Sequence, residues 1–185
     1  MNSSRNIVCR LVTALLLASF FSLSASGAGY IKFDGVDGES NVSGREGQSE
    51  VVAWSWSVVR ANSDDSGSTR TRGSAVVGDL MVTKLLDKAS VKLIEACLQG
   101  KVYPTVTLTL DQPGAAGGLF TYLVIEMKGV LVSSFSVGQS EGEDRPTESV
   151  SMNFEEIKVT YSIQNSDGSS GGNVETTWKI EEGTP

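Results

Sequence analysis

The chain has 185 residues, a formal charge of −7 and no histidine. The length suits one ordinary domain. Without histidine, this chain offers no Ser-His-Asp or Cys-His catalysis and no His-ligated metal; its acidic balance repels phosphate backbones, so nucleic acid is not an expected partner.

Arg5 and Arg10 are the only charges before Lys32, an apolar run from Leu11 to Phe21 follows them, and the small residues SLSASGAG come next. This is the order of a secretory signal peptide. The expectation is a signal peptide over 1–28, with Ser26-Gly27-Ala28 as the cleavage match, and a single domain over 29–185. The alternatives are an uncleaved anchor or a shorter product started near Tyr30. The apolar run is shorter than the ~20 residues of a membrane span, so no stable membrane insertion is expected after cleavage, and Cys9 precedes the run, which argues against a lipoprotein. Cleavage would remove two arginines and leave a charge of −9. Cys97 would then be the sole cysteine, with no intrachain disulfide, and a core burying ~68–70% of the unfolded surface would have to hold the domain.

Alternation at period two dominates the rest of the chain. A short strand is expected at Tyr30–Phe33. Residues 49–59 (SEVVAWSWSVV) put Val52, Trp54, Trp56 and Val58 on one face, with the two tryptophans as core anchors, and Val51, Ala53, Ser55, Ser57 and Val59 on the other. A strand is expected over Ser74–Thr83. A helix comes next, with Ser90 as its N-cap, Leu93, Ile94, Cys97 and Leu98 on its buried face, and Gly100 as its stop. Residues 102–110 set Val102, Val106, Leu108 and Leu110 against Tyr103, Thr105, Thr107 and Thr109, and residues 119–137 form a long β-rich run interrupted by Gly129. After it the phase changes: Val150, Met152 and Phe154 are even, whereas Ile157, Val159, Tyr161 and Ile163 are odd. Glu155-Glu156 is therefore expected to absorb one extra residue as a β-bulge. Val174, Thr176, Trp178 and Ile180 share a last strand. Gly/Ser/Asp-rich loops occupy 61–73, 114–118 and 166–172, the last two as hairpin connections. About seven strands and one helix make a mainly β fold, a sandwich or barrel.

Gly138, Ser140 and Gly142 match G-x-S-x-G, the nucleophile elbow of α/β-hydrolases. An elbow needs strand–turn–helix, a base and an oxyanion hole, yet acids, Arg145-Pro146 and another strand pattern follow Ser140. No catalytic residue is assigned, and an enzyme is not expected. Glu141, Glu143, Asp144 and Glu148 lack calcium-loop spacing, and Arg145 among them opposes a cation, so no metal or other cofactor is expected. Glu143, Asp144 and Arg145 suit loop or inter-protomer ion pairs better. Ala53, Ser55 and Ser57 form a small, uncharged face where a solvent-facing sheet would usually carry Lys or Glu. That face suits an oligomer contact, a smooth channel wall, or a second layer of the same domain.

Ala53-Trp54-Ser55-Trp56, Gly78-Asp79-Leu80 with Thr83-Lys84, Asp87-Lys88-Ala89-Ser90, Cys97, Gly100-Lys101, Tyr103-Pro104, VLVSS at 130–134 and GQSEGEDRPTESVSMNF at 138–154 resemble, in that order, the haemolysin-coregulated protein (Hcp) family of type VI secretion systems. The resemblance spans about Tyr30 to Ile180. It implies a two-sheet β-barrel with one helix at the side, like phage tail-tube proteins. It further implies six protomers in a ring, rings stacked into a tube, and no core enzymatic activity. Effector proteins would be the cargo, and sheath and spike components further partners. Ala53, Ser55 and Ser57 would then face the lumen and its cargo, and loop 61–73 would reach toward the next ring. Such proteins normally lack a cleavable signal, since the tube assembles in the cytoplasm and is fired outward. The signal-peptide pattern implies instead a secreted or periplasmic protein. The alternative function is therefore an exported Hcp-like binding module without a tube. If the start is misassigned, cytoplasmic assembly followed by release is the expectation.

Overall fold

The computed structural model describes residues 27–62, 72–114, 118–142 and 144–180. The expected signal peptide up to residue 26, most of loop 61–73, and Glu143 lie outside the described residues. Ten strands and one helix are described: β1 (Ala28–Phe33), β2 (Ser49–Ser55), β3 (Val58–Asn62), β4 (Arg72–Val77), β5 (Leu80–Leu85), α1 (Lys88–Gln99), β6 (Val102–Pro113), β7 (Leu119–Gly138), β8 (Thr147–Asn153), β9 (Glu156–Gln164) and β10 (Ser170–Lys179). The boundary expected between Ala28 and Gly29 falls inside β1, where Ala28 pairs with Asp111.

Strands β7, β6, β1, β2, β5 and β8 follow one another in antiparallel pairs, and β8 pairs back onto β7, closing a six-stranded barrel. β9 and β10 extend the sheet outward from the first half of β7, and β3 and β4 form a separate hairpin. The expected β-barrel with one helix at its side is thus the observed architecture. Leu80, Val82, Leu108, Ile125, Met127, Val150 and Met152 fill the barrel, and α1 adds Ala89, Leu93 and Ala96 to the same core. Each such large side chain contributes about 1.5–3 kcal/mol of burial.

Several expectations change at bends. Residues 49–59 are two strands: the chain leaves the barrel after Ser55, and β3 joins the hairpin. Within β2, Val51 faces Lys84 and Ala53 faces Thr83, so Val52 is the extra residue of a bulge and turns outward. Ser74–Thr83 is likewise split, into β4 and β5. In α1 the N-cap is Asp87, whose carboxylate accepts from the Ala89 amide while Ser90 returns a capping-box bond; Gly100 ends the helix in the left-handed region, as expected. Leu98, expected inside, is 82% exposed, and Ala96 takes its place in the core.

The phase change near Glu155 is not a one-sided bulge. Leu131 faces Asn153 and Lys128 faces Glu156, so Gly129 and Val130 oppose Phe154 and Glu155 with no residue left over. Both strands change phase together. β6 does so on the same line, because Tyr103 faces Val130 and Thr105 faces Lys128, which sets Pro104 opposite Gly129. Tyr103 is accordingly buried and Val102 exposed, the reverse of simple alternation. A crease therefore crosses the sheet at Pro104, Gly129 and Glu155, and bends the wall to close the barrel.

Candidate assembly surface

Outward from the barrel, the two halves of the wall differ in chemistry. Across β1, β6, β7, β9 and β10, one row reads Lys32, Thr107, Glu126, Lys158, Thr177, and the next reads Thr105, Lys128, Glu156, Lys179. Alternating signs give the exposed pairs Lys128–Glu156 at 2.7 Å and Lys158–Glu175 at 2.9 Å.

The other half is a panel made of β2, β5, β8 and the last third of β7. There one outward row reads Ala53, Thr83, Ser149, Ser136, and the next reads Ser55, Met81, Ser151, Ser134. These two rows hold no charge, and Met81 is the only large side chain in them; exposed acids border them at both ends, Glu50 on β2 and Asp79, which accepts from Ser133 and Asn153. The reverse face of the same strands points inward: Trp54, Val82, Val150 and Phe135 form one row, and Val51, Lys84, Glu148 and Val137 the next, with Trp54 and Val137 at the panel's edges left partly exposed. The short polar face of β2 is thus one edge of a wall four strands wide. The other three strands carry no comparable signal in the sequence, because their hydroxyls become neighbours only through the pairing register.

Ala53 and Ser55 lie in this wall, while Ser57 is exposed at the break between β2 and β3, where its carbonyl accepts from the Gly78 amide. The two tryptophans part company. Trp56 packs on the core beside Phe154 and donates its indole N–H to the Gly78 carbonyl at 3.1 Å. Trp54 lies outside the core cluster and is 37% exposed, because β1 stops pairing with β2 at Val51 and leaves that stretch of the barrel rim uncovered.

The stretch after Gly138 is a turn leading straight into β8, so Ser140 sits in strand–turn–strand, not on an elbow. Asp144 is exposed. Arg145 forms an exposed pair with Glu39 at 3.3 Å, and Glu39 also accepts from the Lys88 amide at the start of α1. Among the described residues, no group of three or more His, Cys, Asp or Glu could hold a metal ion.

Glu148, the last acid of that stretch, is fully buried. Lys84 Nζ lies 2.7 Å from Glu148 Oε1 and 2.7 Å from Asp87 Oδ1, and also donates to Ser90 and to the Leu85 carbonyl. Neither Glu148 oxygen accepts a hydrogen bond of good geometry, so Glu148 is held by charge alone. Burial by itself would raise the Asp87 carboxyl, but hydrogen bonds from Lys84 and Ser49, the Lys84 charge and the Ala89 amide together hold it below its ordinary range. A second tie sits at the far end of β6. Arg45 grips Asp111 with two bonds of 2.7 Å and also meets Thr121, anchoring the loop before β2 to the barrel.

A family model described as "Type VI secretion system effector, Hcp" matches residues 30–161. Protein hcp1 of Pseudomonas aeruginosa is 40% identical over 154 residues, covering 83% of this chain and 94% of its own. Among solved structures, a type six secretion system protein superposes with a TM-score of 0.80 at 31% identity, over 86% of this chain and 99% of its own. Hcp1 from Salmonella typhimurium does so at 0.71 and 25%, over 86% and 98%.

Proposed function

We propose, from the premise that this chain belongs to the Hcp family of type VI secretion proteins, that it is a structural ring protein whose two charge-free hydroxyl rows line the lumen of a hexamer and contact effector cargo. The uncharged rows of the panel carry this reading. A freely solvated sheet face is normally studded with Lys and Glu, as the opposite half of this barrel is. A wall that a passenger must slide along gains from short hydroxyls, which offer weak hydrogen bonds and no fixed charge to trap it. A ring of identical protomers uses a heterologous contact that closes on itself, and it buries sheet edges that would otherwise invite uncontrolled pairing.

Ala53 and Ser55 are the lumen residues on β2 in this reading, with Ser57 just beyond their edge; Asp144 and Arg145 belong to a peripheral loop, and no catalytic role falls to Ser140. Light scattering of the purified protein should give the mass of a ring, and a single-chain mass at high concentration would sink the proposal in favour of an exported binding module. Ser55→Arg should abolish cargo retention while leaving the ring mass unchanged. Cleavage between Ala28 and Gly29 would take Ala28 out of β1 but leave the panel whole; N-terminal sequencing of the native protein reads whether that cut occurs. The family is secreted by type VI systems, and passage through a signal peptide is a separate proposal that this measurement decides.

A further inference from the structure

We propose that the exported form of this chain accepts an N-linked glycan on Asn41, in the loop between β1 and β2. This rests on passage through the signal peptide, the separate proposal above, and not on ring formation. An oligosaccharyltransferase recognises Asn-x-Ser or Asn-x-Thr, with x other than proline, on surface loops of exported chains. Of the asparagines after Gly29, only Asn41 meets that pattern, as Asn41-Val42-Ser43. Bacterial transferases narrow the pattern by an acid two residues before the asparagine, and Glu39 stands there. The stretch ESNVS thus carries every residue that the narrower pattern requires.

The fold presents this stretch outward. The Gly38 amide donates to the Gly47 carbonyl at 2.8 Å, the Ser40 amide to the Gln48 carbonyl at 2.9 Å, and the Gly47 amide to the Ser40 carbonyl at 2.9 Å. These bonds close a neck, and residues 41–46 stand beyond it as a tip that Arg45 ties to Asp111. Asn41 and Ser43 are exposed on the tip, and among the described residues no hydrogen bond engages either side chain. Asn41 lies on the wall shared by two open depressions of about 260 and 400 Å³, the first bounded by Glu50 and Arg145, the second by Glu46 and Lys88. There is room beside it for a first sugar, with carboxylates to accept from its hydroxyls and cations to donate to them. Glu39 is exposed, and its pair with Arg145 is long at 3.3 Å. Such a pair contributes little, so a cationic group of the transferase can take the carboxylate over. In the transfer, the Asn41 amide nitrogen attacks C1 of the first sugar of a lipid-diphosphate-linked oligosaccharide. The N–C bond forms, the C1–O bond breaks, the lipid diphosphate leaves with the bonding electrons, and the amide gives up one proton.

The test uses the native protein from its own cells, sequenced at its N-terminus and, after trypsin, weighed at the peptide Phe33–Arg45, which contains Asn41. Chains that begin at Gly29 should carry an added oligosaccharide mass on this peptide, and fragmentation should place it on Asn41. Asn41→Gln, Glu39→Gln and Ser43→Ala, made in the same cells and checked for a native thermal transition, should each lose the added mass, and Ser43→Thr should keep it. An unmodified peptide in chains that begin at Gly29, or a modification that survives any of the first three substitutions, would overturn the acceptor site while leaving export standing. Modified chains that keep residues 1–28 would support the acceptor site and replace cleavage by an uncleaved anchor. Uncut chains with an unmodified peptide overturn export and the acceptor site together, and none of these results bears on the ring mass.

Discussion

Lys84 is fully buried with a single ammonium facing two carboxylates, Asp87 and Glu148, so its removal strands two buried charges at once. Lys84→Met should cost about 3–5 kcal/mol, read from the denaturant midpoint at unchanged slope. Glu148→Gln should cost less, since Lys84 keeps Asp87 and Ser90. The same site sets an acid limit. The Asp87 carboxyl is held below its ordinary value of 3.8, and Asp111, bonded by Arg45 and Thr121 against the opposing effect of burial, is held below the same value. A carboxyl depressed in the folded state stabilises fully above its unfolded value, and that stabilisation is lost as pH falls through the lower folded one. Stability should therefore begin to fall below about pH 4, and Asp87→Asn should flatten the pH dependence of the melting temperature there; an unchanged acid limb in that variant would remove Asp87 from the account. Both buried charges were within reach of the sequence. Lys84 continues the inward phase of Leu80 and Val82, and Glu148 that of Val150 and Met152, so period-two parity placed opposite charges on core positions of two strands. What parity alone could not supply was that β5 and β8 are neighbours.

Among the elements, the crease at Pro104, Gly129 and Glu155 shows where alternation stops being a guide. Gly129 has φ 60°, and a side-chain carbon added there would lie 2.4 Å from the Glu155 carboxylate. Gly129→Ala should lose about 1–3 kcal/mol from its forced left-handed backbone, with a further loss from displacing Glu155. Adding Glu155→Ala should recover only the second part, and a double variant as stable as wild type would mean the backbone carries no strain. The phase change in the Val150–Ile163 stretch was visible in the residues, as was Gly129 in the long strand. Their alignment was not, because a one-sided bulge and a shared crease leave the same signature in any single strand. The helix was legible in place and in its Gly100 stop. Its N-cap lies three residues before the expected Ser90, because Ser90 and Asp87 both have cap chemistry and only their reciprocal bonds distinguish N-cap from N3. The strand break after Ser55 left no mark in the alternation, which runs through Trp54 and Trp56 without interruption.

The whole molecule divides its charge unevenly: the outward rows of one half are laddered with ion pairs, and the two central rows of the other hold no charge, with Glu50 and Asp79 at their ends. Such segregation makes a prediction about cargo that does not depend on knowing its identity. Charged contacts at a surface weaken steeply as the screening length shrinks from about 10 Å at 0.1 M salt toward about 3 Å at 1 M. Contacts made through Ala53, Ser55, Thr83 and Ser149 have no such term. Retention of cargo by the wild-type ring should therefore change little across that range, whereas Thr83→Lys, which places one ammonium per protomer in the wall, should make retention strongly salt-dependent, raising it for acidic cargo at low salt and lowering it for basic cargo. The ring mass should be the same in both proteins, since Thr83 lies two strands from the β7 edge and one from the β2 edge. A wild-type retention that collapses with salt would place the contact on the laddered half of the barrel. The hydroxyl wall would then be a buried layer between copies rather than the surface of a channel.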